Sequence, residues 1–62
     1  MTVAARCARV LSLLERVRIY DVIVRNDSFS DEALREMKQN CREILLEADG
    51  ELKEIWKEVQ GW

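Results

Sequence analysis

The chain contains no histidine and no proline, and it has only two glycines and two cysteines in 62 residues. Without histidine, a zinc site would need more thiolates than Cys7 and Cys41 supply. Two cysteines also fall short of the disulfide framework that stabilises many small secreted domains. Because a domain this small buries only about 60% of its unfolded surface, we expect self-association to be its route to stability.

The sequence also lacks the features of membrane, secreted and catalytic proteins. Its first residues do not form a secretory signal, and no run of 18 apolar residues could cross a bilayer. Ser28 and Ser30 have no neighbouring base that would activate a nucleophile, and glycine-rich phosphate loops and paired-cysteine motifs are missing. We therefore expect a cytoplasmic, non-enzymatic protein without a cofactor or metal, in which residues 1–62 form a single helical-hairpin domain.

The second half of the chain predicts a helix over about residues 30–60. Ser30 is a good N-cap, and Phe29 and Leu34 have the spacing of a hydrophobic staple around it. Apolar residues then recur every three or four positions, which is typical of a helix with one buried face. They are Leu34, Met37, Cys41, Ile44, Leu45, Ala48, Leu52, Ile55, Val59 and Trp62. Glutamates flank this stripe on one side, and lysines and arginines flank it on the other.

The first half predicts a helix over about residues 2–25 with two apolar rows. One row has the alternating spacing of a heptad seam and consists of Val3, Cys7, Val10, Leu14, Val17, Asp21 and Val24. Asp21 is its only charged member, and we expect it to fix register or partner choice, neutralised by Arg18 and Arg25. The second row, Leu13, Tyr20 and Ile23, lies on the other side and is surplus to a single hairpin.

Two segments leave alternatives open. The stretch 17–24 is rich in β-branched residues and could form a strand, although the unbroken seam favours a helix. The Asp49-Gly50 pair could end the second helix early. The apolar stripe nevertheless keeps its phase from Ala48 to Leu52, so we predict a continuous helix that accepts about 1 kcal/mol for an interior glycine.

A short loop near residues 26–29 predicts that the two helices pack antiparallel. Cys7 and Cys41 would then lie about 10 Å apart along the helix axes, too far for a disulfide, and both are expected to be small core residues. The second helix would extend past the first, which leaves residues 54–62 and their two tryptophans without a partner in the chain. The surplus apolar residues predict dimerisation into a four-helix bundle.

The sequence therefore predicts an all-α antiparallel hairpin that acts by binding. The leading hypothesis is a small regulatory protein that self-associates and binds a larger protein target through its apolar helix faces. Its predicted interface residues are Leu13, Tyr20, Ile23, Ile55, Trp56, Val59 and Trp62.

The alternative hypothesis is a binder of nucleic acid or nucleotides, because the first half of the chain is basic. Arginine beside an aromatic ring can contact phosphate and stack on a base. The candidate residues are Arg6, Arg9, Arg16 and Tyr20. Two observations weigh against it: the net charge is −2, and the same arginines could pair with the glutamates of the second helix.

Overall fold

A computed structural model describes all 62 residues as two antiparallel helices. Helix α1 comprises Val3–Asn26 and helix α2 comprises Asp31–Gln60, and the residues 27–30 connect them. The molecule measures 48 × 16 × 14 Å. The two-helix hairpin predicted from the sequence is thus confirmed, and the strand alternative for residues 17–24 is wrong.

Polar side chains define both helix starts. Thr2 Oγ1 accepts a hydrogen bond from the Ala5 N–H at the start of α1, and Ser30 Oγ accepts one from the Ala33 N–H at the start of α2, each at 3.1 Å. Such N-caps satisfy amides that have no partner within the helix. Gly50 does not interrupt α2: it carries no positive φ, and a Cβ added there would meet no atom within 4 Å.

The core between the helices is small. Only Val10 and Leu13 of α1 and Ile44 and Ala48 of α2 are buried, with Val17 and Tyr20 packed beside them. Leu13 is only 5% exposed. This corrects its assignment to an outer row, because the face of α1 that meets α2 is the row containing Val10, Leu13, Val17 and Tyr20.

The predicted heptad seam is split by this rotation of α1. Val3 and Val17 are half-buried, but Cys7, Leu14 and Asp21 are exposed. Periodicity alone did not choose between the rows because α1 has apolar residues on two sides. The observed rotation also brings Arg6 and Arg9 to the glutamates of α2.

Neither helix contains an apolar stretch long enough to cross a lipid bilayer.

Candidate interaction surface

The hairpin has two chemically different sides, and helix geometry explains how they arise. The residue after a core residue is turned by about 100° around the helix axis. Because the helices are antiparallel, this turn carries Leu14 of α1 and Leu45 of α2, which follow Leu13 and Ile44, to the same side of the pair. Residues that precede core positions, such as Arg9 and Glu47, turn to the opposite side.

We call the charged side the polar edge, and most of its charged groups are paired within the chain. Arg6 Nη1 lies 3.1 Å from Glu51 Oε2, and Arg9 Nε lies 3.9 Å from Glu51 Oε1. Arg9 also donates to Glu47. The polar edge therefore links the N-terminal half of α1 to the C-terminal half of α2.

Further along the polar edge, the amide of Asn40 donates to Tyr20 Oη at 3.1 Å. Tyr20 is half-buried and packs against the core. Arg16 makes no ion pair, and the shallow depression that it shares with Tyr20 also contains Glu43 and Glu47. The four residues considered for nucleic-acid binding thus lie beside carboxylates, which would repel phosphate.

We call the other side the apolar face, and its large side chains have no partner in the chain. It consists of Cys7, Leu14, Leu34, Cys41, Leu45, Leu52 and Trp56. Leu45 is 46% exposed and Trp56 is 65% exposed. Charged residues lie among these side chains, because Arg35, Lys38, Arg42 and Asp49 line one depression with Cys41 and Leu45. Exposed apolar residues with a polar rim of this kind are typical of interaction sites.

A groove of about 310 Å³ indents the apolar face near the interhelical loop. Val17 and Val24 of α1 and Leu34, Met37 and Cys41 of α2 line it. Val17 and Val24 of α1 therefore border the same depression as Leu34 and Cys41 of the apolar face. Asp21, which we expected inside the seam, lies on its rim.

The far end of α2 extends beyond α1. The ion pairs and the hydrogen bond between the helices place Val3 level with residues 53–57, so α2 continues beyond the start of α1. Trp56 and Trp62 are the most exposed aromatic residues, with Trp62 84% exposed, whereas Ile55 and Val59 are half-buried. The overhang predicted from the sequence is therefore present.

Both cysteines differ from their predicted core positions. Cys7 is exposed and Cys41 is half-buried, and neither forms a disulfide. No three cysteine, aspartate or glutamate side chains lie close enough together to hold a metal ion. The cysteines are instead part of the apolar face.

The ion pairs of α1 outside the polar edge are local. Arg18 hydrogen-bonds both carboxylate oxygens of Glu15, and this hydrogen bond holds the pKa of Glu15 below its ordinary value. The same hydrogen bond raises the pKa of Arg18. Arg25 alone pairs with Asp21, at 2.9 Å, so the predicted contribution of Arg18 to neutralising Asp21 is absent.

The predicted interface residues fall into different places. Leu13 and Tyr20 contribute to the contact between the helices, Ile23 is exposed but faces away from the apolar face, and the remaining four lie on the overhang. Leu14, Leu45 and Leu52 are exposed although their apolar spacing predicted buried positions. The width of the apolar stripe on α2 could have predicted this surface. The stripe contains two adjacent rows of apolar residues, and one row is enough to pack against α1.

No known protein family, no curated protein and no solved structure matches this chain.

Proposed function

We propose that this chain is a non-enzymatic interaction protein whose apolar face packs against amphipathic helices, and that its first partner is a second copy of itself. Two hairpins joined through their apolar faces make a four-helix bundle. In this arrangement Leu14, Leu45 and Leu52 become core residues. The polar edge stays at the outside of the bundle, where its charges remain solvated.

The observation that carries this proposal is the accessible surface. The chain exposes 5040 Å², whereas a compact globular monomer of 7.3 kDa exposes about 4,200 Å². The excess, about 850 Å², is close to the roughly 800 Å² that each partner contributes to a stable protein–protein interface. Leu14, Leu45 and Leu52 of the apolar face contribute to this excess, together with exposed residues on other sides such as Leu11 and Leu46.

The sharpest test uses two neighbouring leucines. Leu45 belongs to the apolar face, whereas Leu46 is 62% exposed on the outer side of α2, about 100° further around the helix. Leu45→Asp would bury two unpaired carboxylates in the dimer, and we expect at least a 100-fold loss of association, about 2.8 kcal/mol. Leu46→Asp makes the same chemical change at the border of the depression that Leu45 lines, and it should weaken association far less.

The measurement is sedimentation equilibrium of the full chain at micromolar concentrations, with circular dichroism to check helix content. A folded monomer across this range would contradict self-association and would leave the apolar face to a different protein. Equal dissociation by the two substitutions would place the interface elsewhere.

A further inference from the structure

The apolar face can meet a second copy in two symmetric ways, and the structure distinguishes them. With the two-fold axis parallel to the helices, both loops lie at the same end and α2 covers the partner's α1. With the axis perpendicular to the helices, the loops lie at opposite ends and α2 covers the partner's α2. This choice rests on the proposed self-association.

The overhang of α2 argues against loops at the same end. The cross-helix pairs place Val3 level with residues 53–57 of α2, so the partner's α1 would reach no further than about Trp56. The end of α2 beyond that level would then remain in water in the dimer as it does in the single hairpin. That arrangement leaves the highly exposed Trp62 without cover.

The opposite arrangement covers the whole face. On α2 the apolar face runs from Leu34 to Trp56, and Leu45 lies at its midpoint. A two-fold axis at Leu45 places Leu45 against its own copy and Trp56 level with the partner's Leu34. The end of α2 then lies over the groove near the partner's loop, the one depression on this side that residues of both helices line.

Two of the three free cations beside the apolar face have a suitable neighbour in this register. Arg35, Lys38 and Arg42 form no ion pair within the chain, whereas Asp49 pairs with Lys53. In the same register Lys38 is level with the partner's Leu52, whereas Arg42 lies within one residue of the level of the partner's Asp49 and Arg35 within one residue of the partner's Trp56. An arginine at that place can stack on the indole.

We infer that two copies of this chain pair with their loops at opposite ends, α2 against α2, and that the groove at each loop receives the overhanging end of the partner's α2. Trp56 is the residue that reports this contact. Within one chain it is separated from the groove by about 30 Å along the helix axis, so any contact between them must come from the partner.

The first experiment follows Trp56 fluorescence in the full chain carrying Trp62→Phe. Across the dissociation range, we expect association to shift the emission to shorter wavelength and to reduce acrylamide quenching severalfold. The matched control, Trp56→Phe with Trp62 as the reporter, should change little, because Trp62 would lie at the level of the partner's exposed loop.

The second experiment crosslinks Leu45→Cys to its own copy with diamide, in a Cys7→Ser, Cys41→Ser background whose dimer mass is checked first. We expect a disulfide-linked dimer, and no link from Leu46→Cys on the outer side. If the protein dimerises but Trp56 stays solvent-exposed and Leu45→Cys does not link, the loops lie at the same end and the inferred orientation is overturned. If it does not dimerise, the proposed self-association fails as well.

Discussion

The polar edge and the apolar face are two sides of one hairpin, and they differ in whether their groups are satisfied within the chain. On the polar edge, Arg6 and Arg9 reach Glu51 and Glu47, and Tyr20 accepts a hydrogen bond from Asn40. On the apolar face, the leucines are 36–51% exposed and Trp56 is 65% exposed. The first side is largely paired within a single chain, whereas the large side chains of the second have no partner in the chain.

The magnitudes indicate different roles for the two sides. An exposed ion pair contributes about 0.2–1 kcal/mol to stability. The main effect of these ion pairs is to align α1 with α2. Full burial of a leucine contributes about 1.5–3 kcal/mol, so a few such residues on the apolar face outweigh the whole polar edge. The polar edge therefore sets the register of the hairpin, and we expect the apolar face to supply the energy of association.

The largest expected effect comes from the core that both sides share. Leu13→Ala removes one of four buried side chains, and we expect a loss of about 2–5 kcal/mol in the free energy of unfolding, measured by urea denaturation at fixed protein concentration. Leu11→Ala, at an exposed site on the same helix, should change it by less than about 0.5 kcal/mol. Equal effects would mean that α1 meets α2 through a different face.

The next prediction separates the two sides by mass action. If the apolar face is covered by a second copy, a tenfold increase in protein concentration should raise the free energy of unfolding by about 1.4 kcal/mol per mole of dimer. This corresponds to about 5 °C in the melting temperature, measured by circular dichroism. Leu14→Asp, which places a charge on the apolar face, should abolish this dependence. A wild-type melting temperature that does not change with protein concentration would contradict the proposal that a second copy covers the apolar face.

Some features of this structure could be predicted from the sequence and others could not. The hairpin and the Ser30 cap followed from local signals: a regular apolar spacing in α2 and one cluster of turn residues. The rotation of α1 did not follow, because Val10 and Leu13 belong to different apolar rows and both rows have helical spacing. Only packing against α2 shows that Leu13 faces inward and that Leu14 and Cys7 face outward.

Of the exposed surface, only the overhang could be predicted from the sequence, because the apolar face depends on the rotation of α1. The overhang follows from counting residues on each side of the loop, so Trp56 and Trp62 could be identified as exposed. The apolar face could not, because it is formed jointly by α1 and α2. Leu14 and Leu45 are recognisable as neighbours only when the rotation of both helices is known.

A third prediction concerns a position that belongs to neither side. Gly50 lies in the middle of α2, and a Cβ there would meet no neighbouring atom. Gly50→Ala should therefore raise the free energy of unfolding by about 0.5–1 kcal/mol, since alanine loses less backbone entropy in a helix. The mass in solution should not change. A loss of stability would indicate that another surface packs closely at this point.

The fourth prediction isolates the polar edge. A double-mutant cycle with Arg6→Ala and Glu51→Ala should give a coupling energy of about 0.5–1 kcal/mol, because both side chains are partly shielded from water. The coupling should shrink in 1 M salt, which screens charges beyond about 3 Å, whereas self-association should persist. If salt dissociates the dimer, charges and not the apolar face hold the two copies together.

The smallest effect is expected from removing the ion pair between Glu15 and Arg18. This pair lies within α1, outside the polar edge, and serves as a control for the ion pairs that join the two helices. Arg18 lowers the pKa of Glu15 from 4.5, so the pair stabilises the fold above about that pH, and this contribution is lost as the pH falls through the folded pKa. Carbon-detected NMR should show Glu15 titrating below 4.5 in the wild type and closer to 4.5 in Arg18→Gln. Both residues are fully exposed, so Arg18→Gln should leave the dimer mass unchanged. A shift in mass would extend the interface onto the outer side of α1, and an unshifted Glu15 would show that this ion pair does not persist in solution.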